Sequence, residues 1–334
     1  MIDVSSCPST LLDGFKEYSP RALKTLFYGK KVSPFLDFAV SGLKHTEALV
    51  SAAERISVSG VQEKFPAVID NGIIRLAEEG ERSTHILKPA PWDETIATRR
   101  YIPANEHLTM QIASQAYGIV TAENGLCFSK DSQLVYITKR FDIQDDGSKC
   151  EMEDFSSVIG RNEQVDGKFF KYSGTYEDIA EALCRYIPAW MVDMERFFDL
   201  VVFNYIYGNG DAHLKNFSLI RSGQDYRLAP AYDLMNTSIH INGDDFALDG
   251  GLSAHMFVSD VFSNTGHACR IDFQRFGELI GLRQGRVDKI LDKYTLIPDM
   301  ALTLLKNSYL PDKLKRLYLR SLKERTARFN RLSE

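Results

Sequence analysis

The 334-residue chain carries 44% hydrophobic and 25% charged residues and a formal net charge of −5, as expected of a soluble globular protein with one large domain or two lobes. That balance excludes a general basic field, so no direct nucleic-acid contact is expected. Five scattered cysteines (Cys7, Cys127, Cys150, Cys184 and Cys269) form no C-x-x-C pair, which argues against a disulfide framework or structural zinc and for a reducing, cytoplasmic setting.

The opening residues, MIDVSSCPST, lack the basic start and apolar run of a signal peptide. Ala67-Val68-Ile69 and Ile73 to Leu76 flank Asn71-Gly72, which predicts a hairpin. Thr84 to Lys88 reads as a strand closed by Pro89. Leu108, Ile112, Ala113 and Ala116 share one face of a helix expected from Asn105 to Tyr117, with Gly118 as the stop. Leu134 to Thr138 reads as a strand in which Val135 and Ile137 alternate with Tyr136 and Thr138. After Phe141 the chain turns polar and then helical. Thr175 with Asp178 suggests a capping box opening a helix from Tyr176 to Tyr186. Pro188 separates it from a helix over Trp190 to Tyr207. The apolar stretch Phe197 to Tyr207 is too short to span a bilayer, so it predicts a buried helix and no membrane association. Phe273, Phe276, Leu279 and Ile280 suit one later helix, and Leu314 to Arg331 a basic terminal one with a solvated face. The order is a sheet-rich N lobe over residues 1–141, then a helical C lobe over 142–334. A cleft between two such lobes is a usual nucleotide site.

Four segments carry chemistry. In GNGDAHLKN, Asp211 and Asn216 are five apart, the separation of the catalytic-loop Asp and metal-binding Asn of protein kinases. The Asp must orient or deprotonate a hydroxyl while the Asn oxygen reaches a metal on the phosphates, and a short irregular loop can aim both at one point. A polar loop with an Asx turn would show the same spacing. Asp233 follows after a short hairpin (Phe217 to Ile220, a Ser222-Gly223 turn, Tyr226 to Leu228), where a second metal-binding Asp is expected. A turn residue after Pro230 is the plainer alternative. Lys88 ends a strand and can reach phosphates with Glu106 as its ion-pair partner, or be an exposed edge lysine. Ser57 to Lys64, SVSGVQEK, is neither a Walker loop nor G-x-G-x-x-G. Its small residues still permit backbone N–H groups to approach a phosphate.

In this order, SVSGVQEK, THILKP, NEHLTMQIASQAYGI, YITKRFD, EDFSSVIGR, FNYIYGNGDAHLKNFSL and LAPAYDLM resemble the successive landmarks of the HipA-like kinase family, over roughly residues 56–236. The resemblance implies an α+β, two-lobed protein-kinase-like fold of the phosphoinositide-kinase type, using ATP and magnesium. By position, Asp211 matches the catalytic Asp, Asn216 and Asp233 the metal ligands, and Lys88 the phosphate contact. His213 would lie near the nucleotide. Thr138, Lys139, Arg140 and Phe141 would form the hinge touching adenine. The chain departs from the family at Lys139, where an acid usually stands, and backbone contacts are what the resemblance still implies there. Ser57 matches a serine autophosphorylated in the family, and Ser59 is an additional hydroxyl beside it.

Longer family members carry a further N-terminal subdomain of about a hundred residues, whereas 56 residues precede Ser57 here. The chain thus resembles the short, HipT-like branch, in which a separate small antitoxin protein supplies that subdomain and a DNA-binding antitoxin is a further partner. The family's substrate is a serine of an aminoacyl-tRNA synthetase, tryptophanyl-tRNA synthetase being the expectation for the short branch. A small-molecule kinase on the same fold and a catalytically silent binding module are the rival readings.

Overall fold

Asn71 and Gly72 take φ of 49° and 81° and close the two-residue turn whose twist matches its flanking strands. In the computed structural model, which describes residues 4–45, 63–144 and 146–331, this turn joins β1 (Phe65–Asp70) to β2 (Ile73–Leu76). β1 pairs on its other side with β3 (His85–Pro89), β3 with β5 (Leu134–Lys139), and β5 with β4 (Asn124–Phe128). All pairs are antiparallel, and the order is β2-β1-β3-β5-β4.

The chain divides into two compact units, each discontinuous in sequence. The first comprises Met1–Ala116, Thr121–Ile143 and Asp299–Lys315, and the second Tyr117–Val120, Gln144–Pro298 and Arg316–Glu334.

In the first unit, Ser19 caps α1 (Pro20–Leu26) by accepting from the Ala22 amide, with Pro20 at the first helical position. Ala22, Leu26 and Phe27 bury against Phe65, Ala67, Ile74, Leu87, Cys127, Val135 and Ile137 of the sheet. Each fully buried large side chain contributes roughly 1.5–3 kcal/mol. β5 differs from the expected alternation, since Val135, Tyr136 and Ile137 are all buried. The helix α2 (Ile102–Tyr117) starts three residues before the expected Asn105 and stops at Gly118, φ 70°. A late segment also belongs to this unit. In the helix Asp299–Asn307, the Asn307 side chain donates to the Leu11 carbonyl at 3.0 Å, and Ser6 donates to the Asn307 carbonyl at 2.8 Å.

The second unit holds a three-stranded antiparallel sheet, β6 (Met152–Asp154), β7 (Ser218–Ser222) and β8 (Asp225–Leu228), ordered β6-β7-β8. Ser222 pairs with Asp225, so the turn falls at Gly223-Gln224, one residue later than expected. The short helices α3 (Phe155–Val158) and α4 (Glu163–Asp166) precede α5 (Tyr176–Tyr186), where Thr175 and Asp178 form the reciprocal capping box. α6 (Trp190–Ile206) is buried on all sides from Leu200 to Ile206, which marks it as a core helix. Tyr117 stacks on Tyr294 at 4.8 Å and lies edge-on to Phe203 and Tyr207, holding the end of α6. The remaining helices are α7 (Asp260–Thr265), α8 (Arg270–Leu279), α9 (Gln284–Asp292), α10 (the Asp299–Asn307 helix of the first unit) and α11 (Asp312–Phe329). No described helix is long and apolar enough to cross a membrane.

Candidate active site

α6 delivers the chain into the loop that carries Asp211. Gly208 there takes φ 65°, and a β-carbon on it would meet Asn236 Oδ1 at 3.0 Å and Arg325 Nε at 3.1 Å. Glycine satisfies both the left-handed backbone and the close approach. Asn209 ties the loop to the helix end: its amide donates to the Asn204 carbonyl at 2.8 Å and its side chain to Asn204 Oδ1 at 2.9 Å. Thr237 closes the other side, accepting from the Gly210 amide at 2.9 Å and donating to the Gly208 carbonyl at 3.0 Å.

Within the loop, Asn216 Nδ2 donates to the Asp211 carbonyl at 2.7 Å, and the His213 amide donates to the same carbonyl at 2.8 Å. The Asn216 amide nitrogen is thereby committed, which leaves its side-chain oxygen as the donor atom for a cation. Asp211 Oδ1 accepts from the Tyr172 hydroxyl at 2.7 Å. Burial pushes the Asp211 carboxyl up to about 7, against the Tyr172 hydroxyl and the Lys171 charge that pull it down, while the Asp233 charge adds to the rise. His213 is fully buried, and neither of its ring nitrogens has a hydrogen-bond partner among the described residues. Burial and then the neighbouring Lys171 charge push it down to about 3.

Asp233 stands just past β8 with φ 56°, a left-handed conformation that asparagine and aspartate tolerate better than other side chains and that costs strain. The preceding Tyr232 pins this segment to the loop by donating to the Lys215 carbonyl at 2.9 Å, with its oxygen 2.6 Å from Ser218 Oγ. The second unit therefore brings Asp211, His213, Asn216 and Asp233 together. A carboxylate and an amide oxygen fit a hard divalent cation. A buried imidazole whose two nitrogens have no partner among the described residues fits a further polar group beside it.

The first unit carries the other expected residues. Lys88 Nζ lies 2.6 Å from Glu106 Oε1, with both side chains 4% exposed, and 5.2 Å from the centroid of the Tyr136 ring. Lys88 is thus a buried sheet lysine and not an exposed edge one. Thr138 and Lys139 end β5 and bond Glu123 through the Thr138 hydroxyl and the Lys139 amide. The Lys139 ammonium sits 3.7 Å from the Tyr28 ring centroid, where a cation–π contact holds it. Arg140 is held by Asp142 at 2.6 Å and by Ser83 at 2.9 Å, and Phe141 follows it. Ser57 and Ser59 lie outside the described residues.

Sequence reading missed Tyr172 and Lys171. They lie on a single 3-10 turn, Phe170–Tyr172, well before the loop they face, and no spacing rule connects them to it.

Residues 56–299 match the family model of the HipA-like C-terminal domain. The chain belongs to that family. Among relatives of this HipA-like chain, "Putative kinase Y4mE" of Sinorhizobium fredii is 32% identical over 58% of it and 45% of that protein, so the match spans about half of that relative. A Haemophilus influenzae protein named "Putative kinase" is 25% identical over 95% of this chain and 94% of its own length. A solved complex of the Shewanella oneidensis toxin–antitoxin proteins HipA and HipB with operator DNA matches the HipA-like chain with a TM-score of 0.63 at 19% identity, covering 82% of it and 65% of that chain. The fold is accordingly kinase-like α+β, a sheet-rich unit with a helical one.

Proposed function

We propose that this HipA-like chain is an ATP- and magnesium-dependent serine/threonine protein kinase of a toxin–antitoxin system. The observation that carries the reading is the loop in which Asp211 and Asn216 are locked together at 2.7 Å with Asp233 beside them. That arrangement supplies a proton acceptor and two hard oxygen ligands at one place. The relatives named as kinases and the neighbour named as a toxin support the same reading.

Asp211 orients the acceptor hydroxyl and takes its proton. The acceptor oxygen bonds to the γ-phosphorus as the bond from that phosphorus to the bridging oxygen breaks, and the electron pair leaves with ADP. Asn216 and Asp233 would hold the metal, which would supply positive charge against the phosphate oxygens. Lys88, oriented by Glu106, contacts phosphate, and His213 faces the nucleotide. Thr138 to Phe141 contact adenine through the backbone, the Lys139 side chain being engaged with Tyr28.

The proposed acceptor is a serine of an aminoacyl-tRNA synthetase, with tryptophanyl-tRNA synthetase first. The proposed partners are a small antitoxin protein and a DNA-binding antitoxin, and the setting is the cytoplasm. Ser57 and Ser59 are the proposed autophosphorylation sites, where nearly two added negative charges would repel ATP phosphates.

Transfer from γ-labelled ATP with magnesium, comparing wild type with Asp211→Asn against a panel of purified synthetases and of small hydroxyl compounds, tests the reading. Label on one synthetase that disappears in the variant supports it and names the target. Near-normal transfer by Asp211→Asn removes Asp211 from its role. Label only on a small hydroxyl compound makes the chain a small-molecule kinase, and ATP binding with no transfer makes it a silent binding module.

A further inference from the structure

The Asp211 carboxylate receives one side-chain hydrogen bond among the described residues, and it comes from outside the loop. Tyr172 Oη donates to Asp211 Oδ1 at 2.7 Å, 39 positions away in sequence. The loop's own bonds to Asp211 go to its main chain: the His213 amide and Asn216 Nδ2 reach its carbonyl, and its amide faces Asn209 Oδ1 at 3.4 Å. The backbone of Asp211 is therefore fixed by the loop, while its carboxylate is fixed by Tyr172.

Tyr172 is itself held. Its ring lies edge-on to the His213 ring at 5.1 Å, with Lys171 Nζ 4.9 Å from the ring centroid. Its carbonyl accepts from the Asp249 amide at 2.9 Å, and two residues on, the Gly174 amide donates to Asp249 Oδ1 at 2.8 Å. The Gly250 amide then donates to the Gly174 carbonyl at 2.9 Å. The chain is thus laced to residues 249–250 from the tyrosine's own carbonyl through Gly174.

An aspartate's terminal torsion has broad, roughly two-fold wells, so a carboxylate fixed only at its backbone samples many orientations. One strong donor on Oδ1 selects among them and leaves Oδ2 to accept another hydroxyl. We propose that Tyr172 is a positioning residue for phosphoryl transfer, committing Oδ1 of Asp211 so that Oδ2 is presented to the acceptor hydroxyl. The inference rests on the reading of Asp211 as the proton acceptor. The gain is orientational: reacting groups held close to the attack geometry react faster without binding ATP more tightly.

The test uses the full chain and γ-labelled ATP, with the initial rate read on the labelled synthetase or, failing one, on the chain itself. Tyr172→Phe, which removes one oxygen, should lower kcat on the order of 10- to 100-fold while leaving KM for ATP and the thermal midpoint at wild-type values. Unchanged kcat overturns the inference, and so does a loss that appears wholly in KM or as a lowered midpoint. Asp211→Asn runs alongside. If it transfers normally, the reading of Asp211 has failed, whereas a dead Asp211→Asn beside a normal Tyr172→Phe sinks Tyr172 alone. Should Tyr172→Phe not fold, 3-fluorotyrosine at position 172 keeps the ring and alters the hydroxyl's donor strength. An unchanged kcat there overturns the inference equally.

Discussion

Lys88 and Glu106 form a buried ion pair in the first unit, 2.6 Å apart, joining β3 to α2. Removing one partner of such a pair leaves a charge in a low-dielectric site and costs about 3–5 kcal/mol, whereas replacing both by apolar groups is often neutral. Lys88→Met and Glu106→Leu should each lower the denaturant midpoint, and the double variant should recover most of it. None of the three should retain transfer. Urea melts paired with γ-label assays check this, and recovered activity in the double variant would contradict the role given to Lys88.

Asp233 combines a left-handed backbone with a charge that raises the Asp211 carboxyl. Asn tolerates the same backbone and keeps the shape, so Asp233→Asn should hold the thermal midpoint. Its affinity for ATP should fall at least about tenfold in magnesium, a loss of roughly 1.4 kcal/mol or more, and stay unchanged in magnesium-free buffer. Calorimetric titration in both buffers separates the outcomes, and equal loss in both would remove Asp233 from metal binding.

His85 and His107 are buried in the first unit, and burial pushes each down to about 4 from an ordinary 6.5. His107 holds the Ser9 carbonyl through Nε2 at 2.7 Å, and its Nδ1 has no partner among the described residues. Both remain neutral in the folded chain while the unfolded chain takes up protons below about pH 6.5. Stability is therefore full above pH 6.5 and declines as pH falls toward 4, by about 3 kcal/mol per histidine at pH 4. His107→Gln, which retains a donor for Ser9, should flatten this decline between pH 6.5 and 4. Midpoints measured at half-unit steps would show the difference, and parallel curves would disprove it.

Gly277 of α8 packs on Val287 of α9, where a β-carbon would fall 2.6 Å from Val287 Cγ2. Valine is stiff at χ1 in a helix and cannot give way. Gly277→Ala should therefore destabilise by about 1–3 kcal/mol, although alanine is the better helix former. Adding Val287→Ala should restore part of the loss. A Gly277→Ala variant more stable than wild type would show that helix propensity outweighs the contact.

The elements legible in the sequence were those decided by local physics. Asn71-Gly72 closes its hairpin, Thr175 and Asp178 cap α5, and Gly118 stops α2, because each depends on residues a few positions apart. The loop was legible for the same reason: the Asp211–Asn216 contact spans five residues and is made by the loop itself. β4 was not read from the sequence, since Asn124–Phe128 is buried at every position and shows no alternation. The strand over Leu134 to Thr138 was read, but its alternation does not mark a solvent face, because Val135, Tyr136 and Ile137 are all buried.

Residue types and spacings within single segments indicated a sheet-rich part followed by a helical one and a loop with Asp211 and Asn216 five apart, while the series of motifs, by its resemblance to the HipA-like family, implied the kinase-like fold. Tertiary packing alone decided that Asn307 joins the first unit through Leu11 and that Tyr172 reaches Asp211, and it settled the two readings of Lys88 by burying it on Glu106. Each of these contacts joins residues in different segments, and the burial that makes pairing of these polar groups necessary exists only once the chain has folded.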